Sequence, residues 1–165
     1  MMDLGDVDSD LARHHQHYPS GGEITLQVLK GHLLVEEILR EILHLQLAHP
    51  DALLERGARL SFQQVASLVE AITPVSREEP WLWTAIKRIN GIRNDLAHQL
   101  SPAALDDKLG SLFRYVRHEN PVIKEIADRL GVPEGHDFEL VVICVCAGLS
   151  SLKRAVITEK PESEP

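Results

Sequence analysis

The segment GEITLQVLKGHLLVEEILREILHLQLAHP, residues 22–50, constrains the fold more than any other part of the chain. Val28, Leu29, Leu33, Val35, Ile38, Leu39, Ile42, Leu43 and Leu45 recur every three or four residues, which is the helical period, and Pro50 follows the end. The apolar stripe is wider than a single contact needs. It predicts a long helix packed on two sides, by its own core and by a partner subunit.

The rest of the chain supplies helices to cover that stripe. PDALLERG reads as one or two turns ended by Gly57. LSFQQVASLVEAI forms a helix in which Ser61 is the N-cap and Gln64, three residues on, completes a capping box. Pro74 closes it, and VSREEP reads as a loop in which Arg77, Glu78 and Glu79 are solvated. Pro80 suits the first turn of the next helix, which runs through WLWTAIKRINGIRNDLAHQL and buries Leu82, Ala85, Ile86, Ile89, Ile92 and Leu96. Ser101-Pro102 stops that helix and caps another, PAALDDKLGSLFRYVRHE. After Asn120-Pro121 comes a short helix, VIKEIADRLG, and then a turn, GVPEGHD. FELVVICVCAGLSSLKRAVI is apolar nearly all round and predicts the central core helix. No strand and no internal repeat stands out. The expected fold is all-α: a single bundle of five or six helices over residues 22–158, with flexible tails at 1–21 and 159–165.

Composition agrees. With 165 residues, 44% apolar and only 4% aromatic, the chain has one domain's worth of core, built from Leu, Ile, Val and Ala. No apolar run approaches the ~18 residues of a membrane span, so no membrane contact is expected. Met1 to Asp10 is acidic and lacks the basic-then-apolar order of a secretory signal. Cys144 and Cys146 sit two apart in an apolar helix, point in different directions, and read as buried thiols in a reducing cytoplasm. His14, His15 and His17 fall in the N-terminal tail with no Cys or further His to complete a ligand set, and His32, His44, His49 and His136 show no ligand spacing. Neither a metal nor another cofactor is expected.

The net charge of −8 argues against general nucleic-acid binding, which needs a basic face. The charge is uneven, however. Residues 1–60 carry five basic and ten acidic side chains, whereas residues 77–130 carry nine basic and eight acidic. That least acidic stretch contains GIRNDLAHQL, residues 91–100, in which Arg93, Asn94 and His98 cluster near a helix end. On an ideal helix Asn90, Asn94 and His98 lie on the side away from the apolar face, and Arg93 at its boundary. Arg93 and His98 stand about 140° apart, so they converge only where the helix bends or ends, or where a second subunit supplies the partner residue. Gly91 and Ser101-Pro102 offer such a bend or end. The residue types suit RNA cleavage without a metal. Histidine can take the proton of a ribose 2′-OH, and the arginine fork can hold the charge building on the phosphate. The plain alternative is a helix terminus, where Arg and His complement the dipole and cap carbonyls.

Arg93-Asn94-Asp95-Leu96-Ala97-His98 resembles the R-(polar)-x-x-x-H motif of HEPN domains. These are small all-α bundles that often dimerise, and many are metal-independent endoribonucleases of toxin–antitoxin, CRISPR-associated and phage-defence systems. The resemblance implies catalytic roles for Arg93 and His98, a supporting role for Asn94, a homodimer, an RNA substrate and an antitoxin-like protein partner. Gln99 and Leu100 stand where HEPN toxins paired with nucleotidyltransferase antitoxins carry a tyrosine, which argues against that subtype. The longer stretch ARLSFQQVASLVEAI…LWTAIKRINGIRNDLAHQL also resembles the mannitol operon repressor family, and that implies a regulator working through protein contacts.

Two further groups bear on these readings. Arg88, Arg114, Arg117 and His118 are candidates for guiding RNA phosphate towards His98, with a solvated face as the alternative. Trp81 and Trp83 straddle a helix start, so one of them is expected to face away from the main core, towards a dimer contact or a second core layer.

Overall fold

The computed structural model describes residues 14, 16–55, 59–98 and 101–159. Among these the protein is all-α, with no strand. The elements are α1 (Ile24–Gln46), α2 (Asp51–Glu55), α3 (Phe62–Ile72), a 3-10 turn (Pro74–Glu78), α4 (Pro80–Ala97), α5 (Pro102–Glu119), α6 (Ile123–Leu130) and α7 (Asp137–Glu159). The expected five or six helices become these seven elements among the described residues because the turns after Pro50 close a short helix of their own, α2. The expected VSREEP loop instead winds into the 3-10 turn.

Capping chemistry fixes where these helices begin. Glu23 accepts hydrogen bonds from the Thr25 and Leu26 amides, which orients α1. Ser61 and Gln64 form the reciprocal capping box of α3 at 3.3 and 2.8 Å. Ser101 accepts from the Ala104 amide and starts α5. Gly131, at φ 63°, ends α6 in the left-handed conformation that glycine adopts without strain.

The core is organised around α1 and α7, the most extensively packed pair. Val141 to Cys146 are six consecutive buried residues, so this stretch of α7 is covered on every side; α1, α4, α5, α6 and the 3-10 turn all pack on the helix. Two glycines permit the close approach. A Cβ on Gly31 would stand 2.7 Å from Val142 Cγ2, and one on Gly148 would stand 3.1 Å from Leu82 Cδ1. Each of the fully buried Leu, Ile and Val side chains stabilises the fold by about 1.5–3 kcal/mol relative to exposure. By length and composition, one helix among the described residues could cross a membrane. Within the 22-residue segment Asp137–Thr158 an 18-residue window has a mean hydropathy of 2.0, although no unbroken apolar run is that long. In the bundle 61% of that window is buried.

Two sequence expectations change. Both tryptophans are buried, because the 3-10 turn and α7 close over the start of α4. Trp83 Nε1 donates to the Ser76 carbonyl at 2.7 Å, while Trp81 Nε1 donates to Glu79 and its ring lies against Gly148. The packed body also starts before Gly22. His14 and Tyr18 are buried and stack at 4.6 Å, and the Tyr18 hydroxyl donates to Gln27 Oε1. Ser20 donates to buried Glu139 at 2.7 Å, and His136 Nδ1 lies 3.0 Å from the same carboxylate. Of the predicted flexible segment, His15 and residues 1–13 lie outside the described residues. Cys144 and Cys146 are buried and form no disulfide, and burial pushes the Cys144 thiol up to about 12.

Candidate functional site

Helix α4 carries the motif. Leu82, Ala85, Ile86, Ile89 and Ile92 anchor one side of it in the core, which turns Asn90, Arg93 and Asn94 outward. The helix passes through Gly91 without a break and ends at Ala97. His98 is the C-cap residue, at φ −102° and ψ 23°, with its amide donating to the Asp95 and Leu96 carbonyls. The expected bend at Gly91 is therefore absent; an added methyl there would meet nothing within 4 Å, so no packing demands the glycine. The helix end beside His98 is present, as the Arg93–His98 spacing requires.

Arg93 and His98 are both exposed. Arg93 Nη1 donates to Asn94 Oδ1 at 3.2 Å, and no hydrogen bond or ion pair joins Arg93 to His98. Asp95 is committed elsewhere, to Lys108 on α5 at 2.6 Å. Gln99 and Leu100 lie outside the described residues.

Arg93 and Asn94 open onto a cleft of about 360 Å³ between α1, α3 and α4. Its walls are His32 and Glu36 from α1, Ser61, Phe62 and Gln63 from the start of α3, and Asn90, Arg93 and Asn94 from α4. His98 is not part of the lining. The histidine that belongs to this cleft is His32. It is buried, stacks on Phe62 at 4.2 Å, and lies 3.1 Å from Asn90 Oδ1 through Nε2. Its Nδ1 faces Glu36 at 3.9 Å. Burial lowers the His32 pKa; the Asn90 hydrogen bond and the Glu36 charge oppose that fall, and the nearby Arg93 charge adds to it. Glu36 is itself neutralised by Arg40, which donates to it through Nε and Nη2 at 3.0 and 2.6 Å. Arg93 is thus the one uncompensated cation among the residues lining the cleft. The only sequence signal for His32 is its i, i+4 relation to Glu36; its partner Asn90 is 58 residues away.

The residues expected to guide RNA are not gathered around Arg93. Arg88 lies on the other flank of α4, in a cavity of about 250 Å³ shared with Gly91, Ile92, Lys108 and Ser111, and its guanidinium sits 4.3 Å over the Tyr115 ring. Arg114, Arg117 and His118 are exposed on α5. Arg114 folds back over Gly110, and His118 pairs with Glu119 at 3.0 Å. Among the described residues no group of three His, Cys, Asp and Glu side chains could hold a metal ion. No protein-family model, curated protein or solved structure matches this chain.

Proposed function

We propose that the protein is an HEPN-like, metal-independent endoribonuclease acting as a homodimer, in a stress, toxin–antitoxin or defence setting. The observation that carries the reading is the state of the motif at the end of α4. Arg93 and His98 are both open to solvent, and Arg93 is held by a neutral amide rather than consumed by a carboxylate. In this reaction His98 takes the proton of the ribose 2′-OH. The 2′-oxygen bonds to phosphorus, the P–O5′ bond breaks, and the departing 5′-oxygen takes a proton from water. Arg93 holds the charge that builds on the phosphate oxygens, and Asn94 orients the guanidinium. A second copy supplies the opposing motif, since one chain does not pair Arg93 with its own His98.

A second reading draws on a different observation. Leu26, Leu29 and Leu33 are exposed along α1, and Leu68 and Ile72 along α3. Such faces suit contact with another protein, as a regulator resembling the mannitol operon repressor family would make.

Cleavage of total RNA in EDTA separates the two. Wild type is expected to leave 2′,3′-cyclic phosphate and 5′-hydroxyl ends. His98→Ala and Arg93→Gln are each expected to lose about 100-fold or more in rate and to relieve growth arrest on expression. Intact RNA from a well-folded wild-type dimer refutes the enzyme and favours the regulator.

A further inference from the structure

We infer that the α1–α3–α4 cleft is a binding site for a phosphate group, held by Arg93 and Asn94, with His32 as a proton-sensitive charge beside it. The cleft exists within one chain, so the site does not depend on the proposed reaction, although it deepens that reading by giving Arg93 a pocket in which to present phosphate.

The chemistry comes from how the polar groups are already engaged. The guanidinium spends one N–H on Asn94 and keeps the remainder for an anion. Asn94 uses its carbonyl oxygen in that bond, which leaves its amide N–H groups to donate. The cleft's one carboxylate, Glu36, is bound twice by Arg40, so it repels an incoming anion less than a bare carboxylate would. His32 cannot turn away: Asn90 Oδ1 accepts from Nε2, and Phe62 stacks on the ring. With the proton on Nε2, a second one adds at Nδ1, 3.9 Å from Glu36, and makes the ring a cation. The volume, about 360 Å³, is at the small end of ligand pockets and accommodates a nucleotide-sized group. The phosphate has two chemical sources, a diester in a nucleic-acid strand or a free anion, and the test separates them.

Binding is measured by isothermal titration and by ¹⁵N shifts of the His32 ring and the Asn90 and Asn94 side-chain amides. The probes are a 2′-O-methylated adenylyl dinucleotide, which cannot be cleaved, and inorganic phosphate. Wild type is expected to bind at least one probe with shifts at all three residues. Arg93→Gln is expected to weaken binding at least tenfold, and His98→Ala to leave it intact. The dinucleotide's single charge is constant between pH 8 and 5. The charged groups facing His32 are Glu36, Arg40 bonded to it, and Arg93. Binding should therefore tighten roughly three- to tenfold as His32 protonates on acidification, and His32→Gln, which can still bond Asn90, should flatten that profile. Preference for the dinucleotide identifies a strand site and preference for phosphate a free-anion site; both support the inference. Binding unchanged in Arg93→Gln, a pH profile unchanged in His32→Gln, or no binding of either probe overturns it. Wild type that binds a probe but leaves RNA intact refutes the ribonuclease and leaves the site standing.

Discussion

Adding one methyl group at two different helical glycines should move stability in opposite directions. Alanine is preferred over glycine in a helix interior by about 0.8–1 kcal/mol. Gly91 has no neighbour within 4 Å of an added Cβ, so Gly91→Ala should keep that gain. At Gly31 the same methyl would lie 2.7 Å from Val142 Cγ2 and 3.3 Å from Phe138 Cε1, where α1 and α7 meet. Overpacking of this kind costs about 1–3 kcal/mol, which outweighs the propensity gain and leaves Gly31→Ala destabilised by about 1 kcal/mol. The two variants should then differ by about 2 kcal/mol. For a domain of this size that is a gap of about 4–8 °C in Tm. Circular-dichroism melts measure the gap, and Val142→Ala supplies the control. Removing Cγ2 opens space for the new methyl, so on that background Gly31→Ala should cost little or become favourable. If Gly31→Ala is as stable as Gly91→Ala, or if its cost persists with Val142→Ala, the α1–α7 spacing described above is wrong.

Three other predictions follow from buried groups. Trp83→Phe keeps an aromatic ring but removes the donor to the Ser76 carbonyl and part of the buried volume; it should cost at least about 1–3 kcal/mol, with amide exchange rising first in the 3-10 turn. Because the folded pKa of His32 lies below its unfolded value near 6.5, the unfolded chain binds more protons in that window. Stability should therefore fall as pH drops from 7 through that window, and chemical denaturation of His32→Gln should show a smaller decline; an identical slope would refute the assignment. The Cys144 thiol, raised to about 12, should resist an aromatic disulfide reagent at pH 8 in the folded protein and react at once in guanidinium.

The helices were legible in the sequence because their signals are local. Ser61 and Gln64 announce a capping box three residues apart, Ser101-Pro102 an N-cap, and the unrelieved apolarity around Val141 a helix covered on all sides. What escaped depended on residues far apart in the chain. Nothing near His14 or Tyr18 reveals that Glu139 and Gln27 wait for that segment, and burial of both tryptophans required knowing that the loop before them coils into a lid. The site was half legible. Asn94 lies away from the apolar face and the helix ends beside His98, whereas Arg93, expected at the boundary of that face, is exposed as well. That His32, rather than His98, borders the same cleft as Arg93 follows only from α1 crossing α4, a fact of tertiary packing.

The position of α7 has a consequence for how the chain is made. Its largest partner, α1, is complete at Gln46, yet α7 begins at Asp137, about 90 residues later. At a synthesis rate of about 5–20 residues per second, α1 spends roughly 5–18 s outside the ribosome with its broadest apolar face uncovered. The earlier helices can assemble only a partial bundle around a missing centre in that interval. Folding of this protein is therefore gated by translation of a late segment, and a nascent chain stalled before Asp137 should be bound by chaperones.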